Sequence, residues 1–202
     1  MLVAEAPQLI LVAKSMIFHL PDIIGLLWGG SELRLALAKR SKADAVSKDR
    51  HSLAIIWLVI LPAIALGGVA ARRLPGCGLP WPGTIQCVSA GLFVAGTVLR
   101  WLAIRHLGRF FTTNVAVAKD HRLVDSGPYR LVRHPSYTGS LVAAFGFALS
   151  FSNGASLLII FAPYAAVILW RIRIEEQALT GALGRDYTAY MRRTKRLIPK
   201  VF

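Results

Sequence analysis

Negative charge is scarce in this sequence: 10 Asp plus Glu stand against 24 Lys plus Arg in 202 residues, a formal net charge of +14. Charged residues make up only 17% of the chain against 55% hydrophobic, and the mean hydropathy is +0.54. So few charges cannot cover a water-facing surface of this size without leaving large apolar patches, which excludes an ordinary soluble globule. Cysteine is scarcer still, with two residues. Cys77 and Cys87 have neither the spacing partners of a zinc site nor the density of a disulfide scaffold, so both read as structural and no metal is expected. No Gly-rich loop follows a strand and no alternating strand and helix pattern is present, which removes a Rossmann-type nucleotide site. Met1 to Gln8 holds Glu5 but no Lys or Arg, and Pro199 to Phe202 offers no lipidation cysteine, so nothing removable is expected at either end.

What is present is a series of apolar runs. The longest, Pro135 to Trp170, far exceeds the ~30 Å hydrocarbon core as a single helix and must fold back. Ser152-Asn153-Gly154 is the only strong turn signal within it, which predicts a helical hairpin, Thr138 to Phe151 and then Ala155 to Trp170. Ser52 to Ala71 is long enough to cross a bilayer, and Thr84 to Leu99, continuing to Ile104, crosses again after the Pro75, Pro80 and Pro82 loop. Pro7 to Trp28 is less regular: it carries Lys14, His19 and Asp22, and Pro21 kinks it, so it either spans or lies partly in the interface. Lys14 itself reads as a snorkelling or protein-facing residue.

The basic residues then fix an orientation. Lys plus Arg number six in Ser31 to His51, two in Arg72 to Gly83, seven in Arg100 to His134, none at the hairpin turn and eight after Trp170. The positive-inside rule places the three rich segments in the cytoplasm, giving about five spans, an external N-terminus and a cytoplasmic C-terminus. The excess charge is thereby accounted for. No interleaved aromatic and basic pattern suggests nucleic acid, so the expected partner is the lipid bilayer.

Two cytoplasmic segments carry unusual polar density. The first runs through His106, Asp120 and Gly127-Pro128-Tyr129 to Arg133-His134-Pro135-Ser136-Tyr137 and Gly139; the second holds Arg171, Arg173, Glu175 and Glu176, then Gly184, Tyr187, Tyr190 and Arg196 to Pro199. A hairpin returns the chain to the side it left, so His134 to Tyr137 and Arg171 to Glu175 meet at one membrane face. Arg171 and Glu175, four residues apart, share a helix face that Arg173 and Glu176 do not. Each piece alone has a plain explanation: a surface ion pair of ~0.3–0.5 kcal/mol, a proline in a first helical turn, and interfacial tyrosines.

In their order, Gly127-Pro128-Tyr129, Arg133-His134-Pro135-Ser136-Tyr137, Gly139, Glu175-Glu176 and the Gly184, Tyr187, Tyr190 spacing resemble the isoprenylcysteine carboxyl methyltransferase family, and more loosely its bacterial and phospholipid methyltransferase relatives. The resemblance covers His106 to Pro199. It implies an all-α integral membrane protein with a cytosolic cofactor pocket that uses S-adenosyl-L-methionine on an amphiphilic or prenylated acceptor. The expected organisation is a single membrane domain over 1–202, with N-terminal spans in 1–104 and a cofactor-binding and catalytic half in 105–202. By the same resemblance His121, Arg122, Leu123 and Val124 hold the adenosine part with Tyr129 beside them, and His134, Pro135, Ser136 and Tyr137 form a second cofactor segment. Glu175 matches the family's cofactor-binding glutamate and Arg171 its substrate-orienting arginine, and these two are the catalytic candidates.

Methyl transfer from a sulfonium to a carboxylate annihilates opposite charges, so a dry, preorganised pocket favours it and no proton has to move. An amine or phenol acceptor would need a base, for which Glu176 and His134 are nearest. The residues do not choose between these acceptors; the resemblance makes O-methylation of a prenylated cysteine carboxylate or another lipid-like acid the leading expectation. Phospholipid N-methylation and a non-catalytic protein binding anionic lipid or a partner are the alternatives, and the oligomeric state is left open, since Gly67-Gly68 and Gly91 with Gly96 suit packing between chains or within one.

Overall fold

The computed structural model describes residues 20–35, 46–49, 52–111, 115–117 and 122–202. Within these, α1 (20–35), α2 (Ser52–Arg73), α3 (Pro82–Leu107), α4 (Pro135–Leu149), α5 (Gly154–Leu183) and α6 (Arg185–Arg193) form the body of the chain. A short antiparallel pair, β1 (Val46–Asp49) and β2 (Val115–Val117), joins the segment after α1 to the segment after α3. The apolar runs predict no strand, and this pair is an addition to a mostly helical set of described residues.

Three helical stretches, Ala54–Arg73, Pro82–Phe110 and Gly154–Leu183, are long and apolar enough to cross a bilayer. The α4 arm has 15 residues, about 22 Å of helix, short for an independent crossing. Outward-facing Leu58, Leu66, Val94, Val98 and Leu158 are all at least half exposed, as expected where the surrounding medium is hydrocarbon rather than water.

The hairpin forms where the sequence predicted it. Asn153 caps α5 by accepting from the Ser156 backbone N–H at 3.0 Å, and its Nδ2 donates to the Leu74 carbonyl at 2.9 Å. The same side chain thus fastens the α2–α3 loop to the hairpin turn.

Packing is set by small residues. Helix α3 lies against α4 so closely that a Cβ on Gly139 would stand 2.5 Å from the Arg100 nitrogen and the Gly96 oxygen, and one on Gly146 would meet the Phe93 nitrogen and Ser89 oxygen at 2.7 Å. Without a hydrophobic drive between helices in lipid, such close backbone approach is the main source of association. Helix α2 meets α5 similarly, with Ser156 Oγ donating to the Gly67 carbonyl at 2.7 Å and Ile160 filling the space beside Gly67. Gly67 and Gly96 therefore serve packing within the chain, whereas among the described residues nothing lies within 4 Å of a Cβ placed on Gly91.

Helix α3 packs on α4, α4 on α5 and α5 on α2, and α1 touches α3, α4 and α5. Trp28 of α1 packs edge-on against Tyr164 of α5 and at a tilt on Phe147 of α4, with centroids 5.3 and 5.6 Å apart. The shared core is Ile24, Trp28, Ile60, Phe93, Phe147, Ile160, Ile168 and Ile172.

Candidate active site

A cavity of about 140 Å³ opens among α1 to α5. Its walls are apolar along α1 and α2, with Gly25, Gly29, Ile56, Trp57, Ile60 and Ile64. Its polar groups are Glu32, Arg100, Tyr137, Ser140, Tyr164 and Arg171. An elongated apolar wall meeting a few convergent polar groups suits an amphiphile.

Arg171 is 4% exposed and Glu175 half-buried, one turn further along α5. Tyr137 of α4 joins them: its hydroxyl accepts from Arg171 Nε at 2.8 Å and donates to Glu175 Oε2 at 2.7 Å. The expected meeting of the two segments is thus a direct contact, and the bridge fixes both side chains of the i, i+4 pair.

The neighbouring face of α5 carries a different network. Glu176, 4% exposed, takes Arg133 on Oε1 at 2.9 and 3.0 Å and Arg196 on Oε2 at 2.7 and 2.9 Å. His134 Nε2 lies 3.3 Å from Oε1. Arg133 also donates to the Met191 carbonyl at 3.2 Å and to the Thr194 carbonyl. The segment Lys195 to Leu197 runs alongside, accepting from the backbone of Arg133 at 2.7 Å and of His134 at 3.0 Å, and from Thr138 Oγ1 at 2.9 Å. Glu176 is the hub that locks the chain's last segment to the start of α4. Replacing it by Gln leaves two arginines undercompensated at a buried site, so we expect Glu176→Gln to lose ~3–5 kcal/mol of stability, seen as a lower unfolding temperature in lipid nanodiscs.

The structure places the remaining predicted residues as follows. His121 lies outside the described residues. Arg122 is exposed, and Leu123 and Val124 are partly buried. Tyr129 is 6% exposed with its hydroxyl donating to the Ala103 carbonyl at 3.3 Å and its carbonyl accepting from Tyr190 at 2.6 Å. Pro135 is fully buried, and the Ser136 carbonyl accepts from Arg100 Nη1 at 3.4 Å. Of the second segment, Tyr137 alone lines the cavity; His134, Pro135 and Ser136 hold the turn that presents it.

Gly184 ends α5 at φ +55°, a conformation natural to glycine, and the reversal brings Tyr187 and Tyr190 of α6 under the loop, each 2% exposed. Burial pushes the Tyr129 and Tyr187 hydroxyls well above the usual tyrosine range and Tyr190 up to about 12, so all three stay neutral at any physiological pH. Hydrogen bonding to Glu176 raises the Arg196 guanidinium further.

Sequence reasoning missed Glu32, Arg100 and Tyr164. Arg100 Nη2 donates to Glu32 Oε2 at 2.8 Å, joining α1 to α3. The signal was available: Arg100 interrupts an otherwise uncharged run from Thr84 to Ile104, and a charge inside a span points to function or to a partner.

Residues 89–181 match the isoprenylcysteine carboxyl methyltransferase (ICMT) family. Protein-S-isoprenylcysteine O-methyltransferase B of Arabidopsis thaliana is 33% identical over 117 residues, covering 54% of this chain and 57% of that protein. The protein-S-isoprenylcysteine O-methyltransferase of Schizosaccharomyces pombe is 33% identical over 164 residues, 72% of this chain and 67% of that one. The chain thus spans little more than half the length of the Arabidopsis relative. Among solved structures, the eukaryotic intramembrane Ras methyltransferase ICMT superposes with a TM-score of 0.57 at 26% identity, covering 77% of this chain and 55% of that one. The matched region contains Tyr137, Arg171 and Glu175, and the likeness to the Schizosaccharomyces pombe protein, two thirds of which this chain covers, shows that the chain belongs to the isoprenylcysteine carboxyl methyltransferase family.

Proposed function

We propose that this integral membrane protein is an S-adenosylmethionine-dependent methyltransferase that O-methylates the carboxylate of a prenylated cysteine or a closely similar lipid-like acid. The observation that carries the reading is the Arg171–Tyr137–Glu175 bridge at the polar end of an apolar cavity.

The residues fit the cofactor. Glu175 is a half-buried carboxylate suited to accept a charge-assisted bond from an ammonium group, and Leu123 and Val124 are partly buried near the start of the loop that Tyr129 anchors. S-adenosylmethionine, when bound, supplies an electrophilic methyl group. Arg171, donating through Nε to Tyr137, keeps its guanidinium oriented at the cavity wall, where it aims an acceptor carboxylate. Tyr137 holds Arg171 and Glu175 in register. The aliphatic wall of α1 and α2 takes the acceptor's tail, so the first half of the chain supplies the tail site and the second the transfer site.

The fate of Glu176 and His134 favours a carboxylate over an amine. Both are buried and engaged with each other or with Arg133 and Arg196, while the carboxylates nearer the cavity, Glu175 and Glu32, are held by Tyr137 and Arg100. A carboxylate acceptor needs no proton removed; an amine does. The distribution of Lys and Arg supports a cytoplasmic active site and C-terminus with about five crossings.

Glu175→Gln tests the cofactor assignment. Calorimetry of S-adenosylmethionine binding to the protein in nanodiscs should give about tenfold weaker affinity, the loss expected for one charge-assisted bond. Unchanged affinity would remove Glu175 from the cofactor site.

A further inference from the structure

Residues 195–202 form a small closed hook beside the first turn of α4. The Leu197 and Ile198 backbone N–H groups donate to the Phe202 main-chain oxygen at 2.8 and 2.7 Å, and the Phe202 N–H donates back to the Ile198 carbonyl at 3.1 Å. Arg196 lies over the Phe202 ring. The hook is fastened to α4 by the Arg133 and His134 N–H groups and by Thr138 Oγ1, and its Leu197 is buried in the shared core. It therefore sits at the end of α4 that the distribution of Lys and Arg assigns to the cytoplasmic surface of the membrane.

The hook's outer side chains combine two chemistries. Leu131, Ile198, Val201 and Phe202 are between 45% and 72% exposed, and Leu131 adjoins the hook because Val132 pairs with Lys195. Arg130, Lys195 and Lys200 are exposed beside them in the sequence and have no ion-pair partner among the described residues. The nearby carboxylates are already engaged, Asp125 by Arg193 and Glu176 by Arg133 and Arg196. Exposed apolar side chains bordered by charge of one sign mark an interaction surface. At the edge of a bilayer this combination suits the headgroup layer, where apolar side chains reach the acyl boundary and cationic groups meet lipid phosphate.

We infer that the hook, with Arg130 and Leu131, is a docking surface for the anionic headgroups of the surrounding bilayer. Leu131, Ile198, Val201 and Phe202 enter the headgroup layer, and Arg130, Lys195 and Lys200 hold its phosphates. The surface lies outside the cavity and does not depend on which acceptor is methylated. It acts on the active-site end all the same: a seated hook keeps Arg196 on Glu176 and its own backbone on His134, so anionic lipid stabilises the Glu176 hub.

The test uses the full chain in nanodiscs and needs no methyl transfer. A small fluorophore is placed at V201C on a C77S, C87S background. It should be quenched by phosphatidylcholine carrying a nitroxide at the top of its acyl chain and shielded from aqueous iodide. The unfolding temperature of wild type should rise when phosphatidylglycerol is added to phosphatidylcholine discs, as for any ligand that binds the folded state, and the rise should fade at high salt. R130Q/K195Q/K200Q should match wild type in neutral discs and lose most of the rise. K200Q alone should lose a smaller part and serves as the readout if the triple variant is not recovered. A label quenched by iodide and not by lipid, no rise in wild type, or a rise undiminished in the folded variants overturns the docking surface. An equal rise given by inorganic phosphate in neutral discs overturns the assignment of lipid as the ligand.

Discussion

Arg171→Ala is expected to lower kcat by ~100- to 1,000-fold, the loss seen when one preorganised charged contact at a reacting group is removed, while leaving S-adenosylmethionine affinity within about threefold. The guanidinium is buried at the cavity wall and oriented through Tyr137, so the substitution removes the group that aims the acceptor. The cofactor's proposed contact, Glu175, keeps Tyr137 as its donor. Arg171→Lys should recover only a small part of the rate, because an ammonium cannot reproduce a planar fork of donors. Single-turnover rates together with calorimetry check this. If cofactor affinity falls in parallel with rate, Arg171 is a structural support of the cofactor site and not an acceptor contact.

Gly139→Val is expected to have the largest effect on folding. The added side chain must occupy space where the backbone of α3 already stands, at the Arg100 nitrogen and the Gly96 oxygen. Backbone cannot swing aside as a flexible side chain can, so the helices separate along their contact and the packing between Gly96, Gly139 and Gly146 is lost together. Because α3 carries Arg100 and α4 carries Tyr137, the cavity loses its polar end as well. We expect little monodisperse protein from Gly139→Val, and Gly139→Ala to be markedly less stable than wild type. Gly91→Ala, where nothing lies within contact distance, should stay within ~0.5 kcal/mol. Size-exclusion recovery and unfolding temperature in one detergent read all three. Full recovery of Gly139→Val would mean that α3 and α4 are not packed as described.

What could be read from the sequence was local. The turn at Ser152-Asn153-Gly154 and the sharing of a face by Arg171 and Glu175 follow from turn chemistry and helical period, and both stand in the structure. The excess of basic residues over acidic ones, together with the apolar runs, was enough to call for a membrane protein. The resemblance of scattered Gly, Tyr and Arg-His-Pro elements pointed to the family, yet it did not separate contact from support. His134, Tyr187 and Tyr190 turn out to be buried anchors, and the adjacent glutamates divide their tasks: Glu175 faces Tyr137 while Glu176 ties down Arg133 and Arg196. The Glu32–Arg100 pair spans 68 residues and depends on how α1 packs against α3, which no periodicity encodes. It becomes visible only when the helices are assembled.

The most direct measurement is methyl transfer itself. Purified protein in proteoliposomes is incubated with methyl-labelled S-adenosylmethionine and an N-acetylated prenylcysteine, and the recovered acceptor is treated with alkali. O-methylation of the carboxylate predicts that the label leaves as volatile methanol, as an ester requires, and that Arg171→Ala transfers almost none. Label that survives alkali would contradict a methyl ester, and no transfer by folded, cofactor-binding protein would contradict the assignment of a prenylated carboxylate as its substrate.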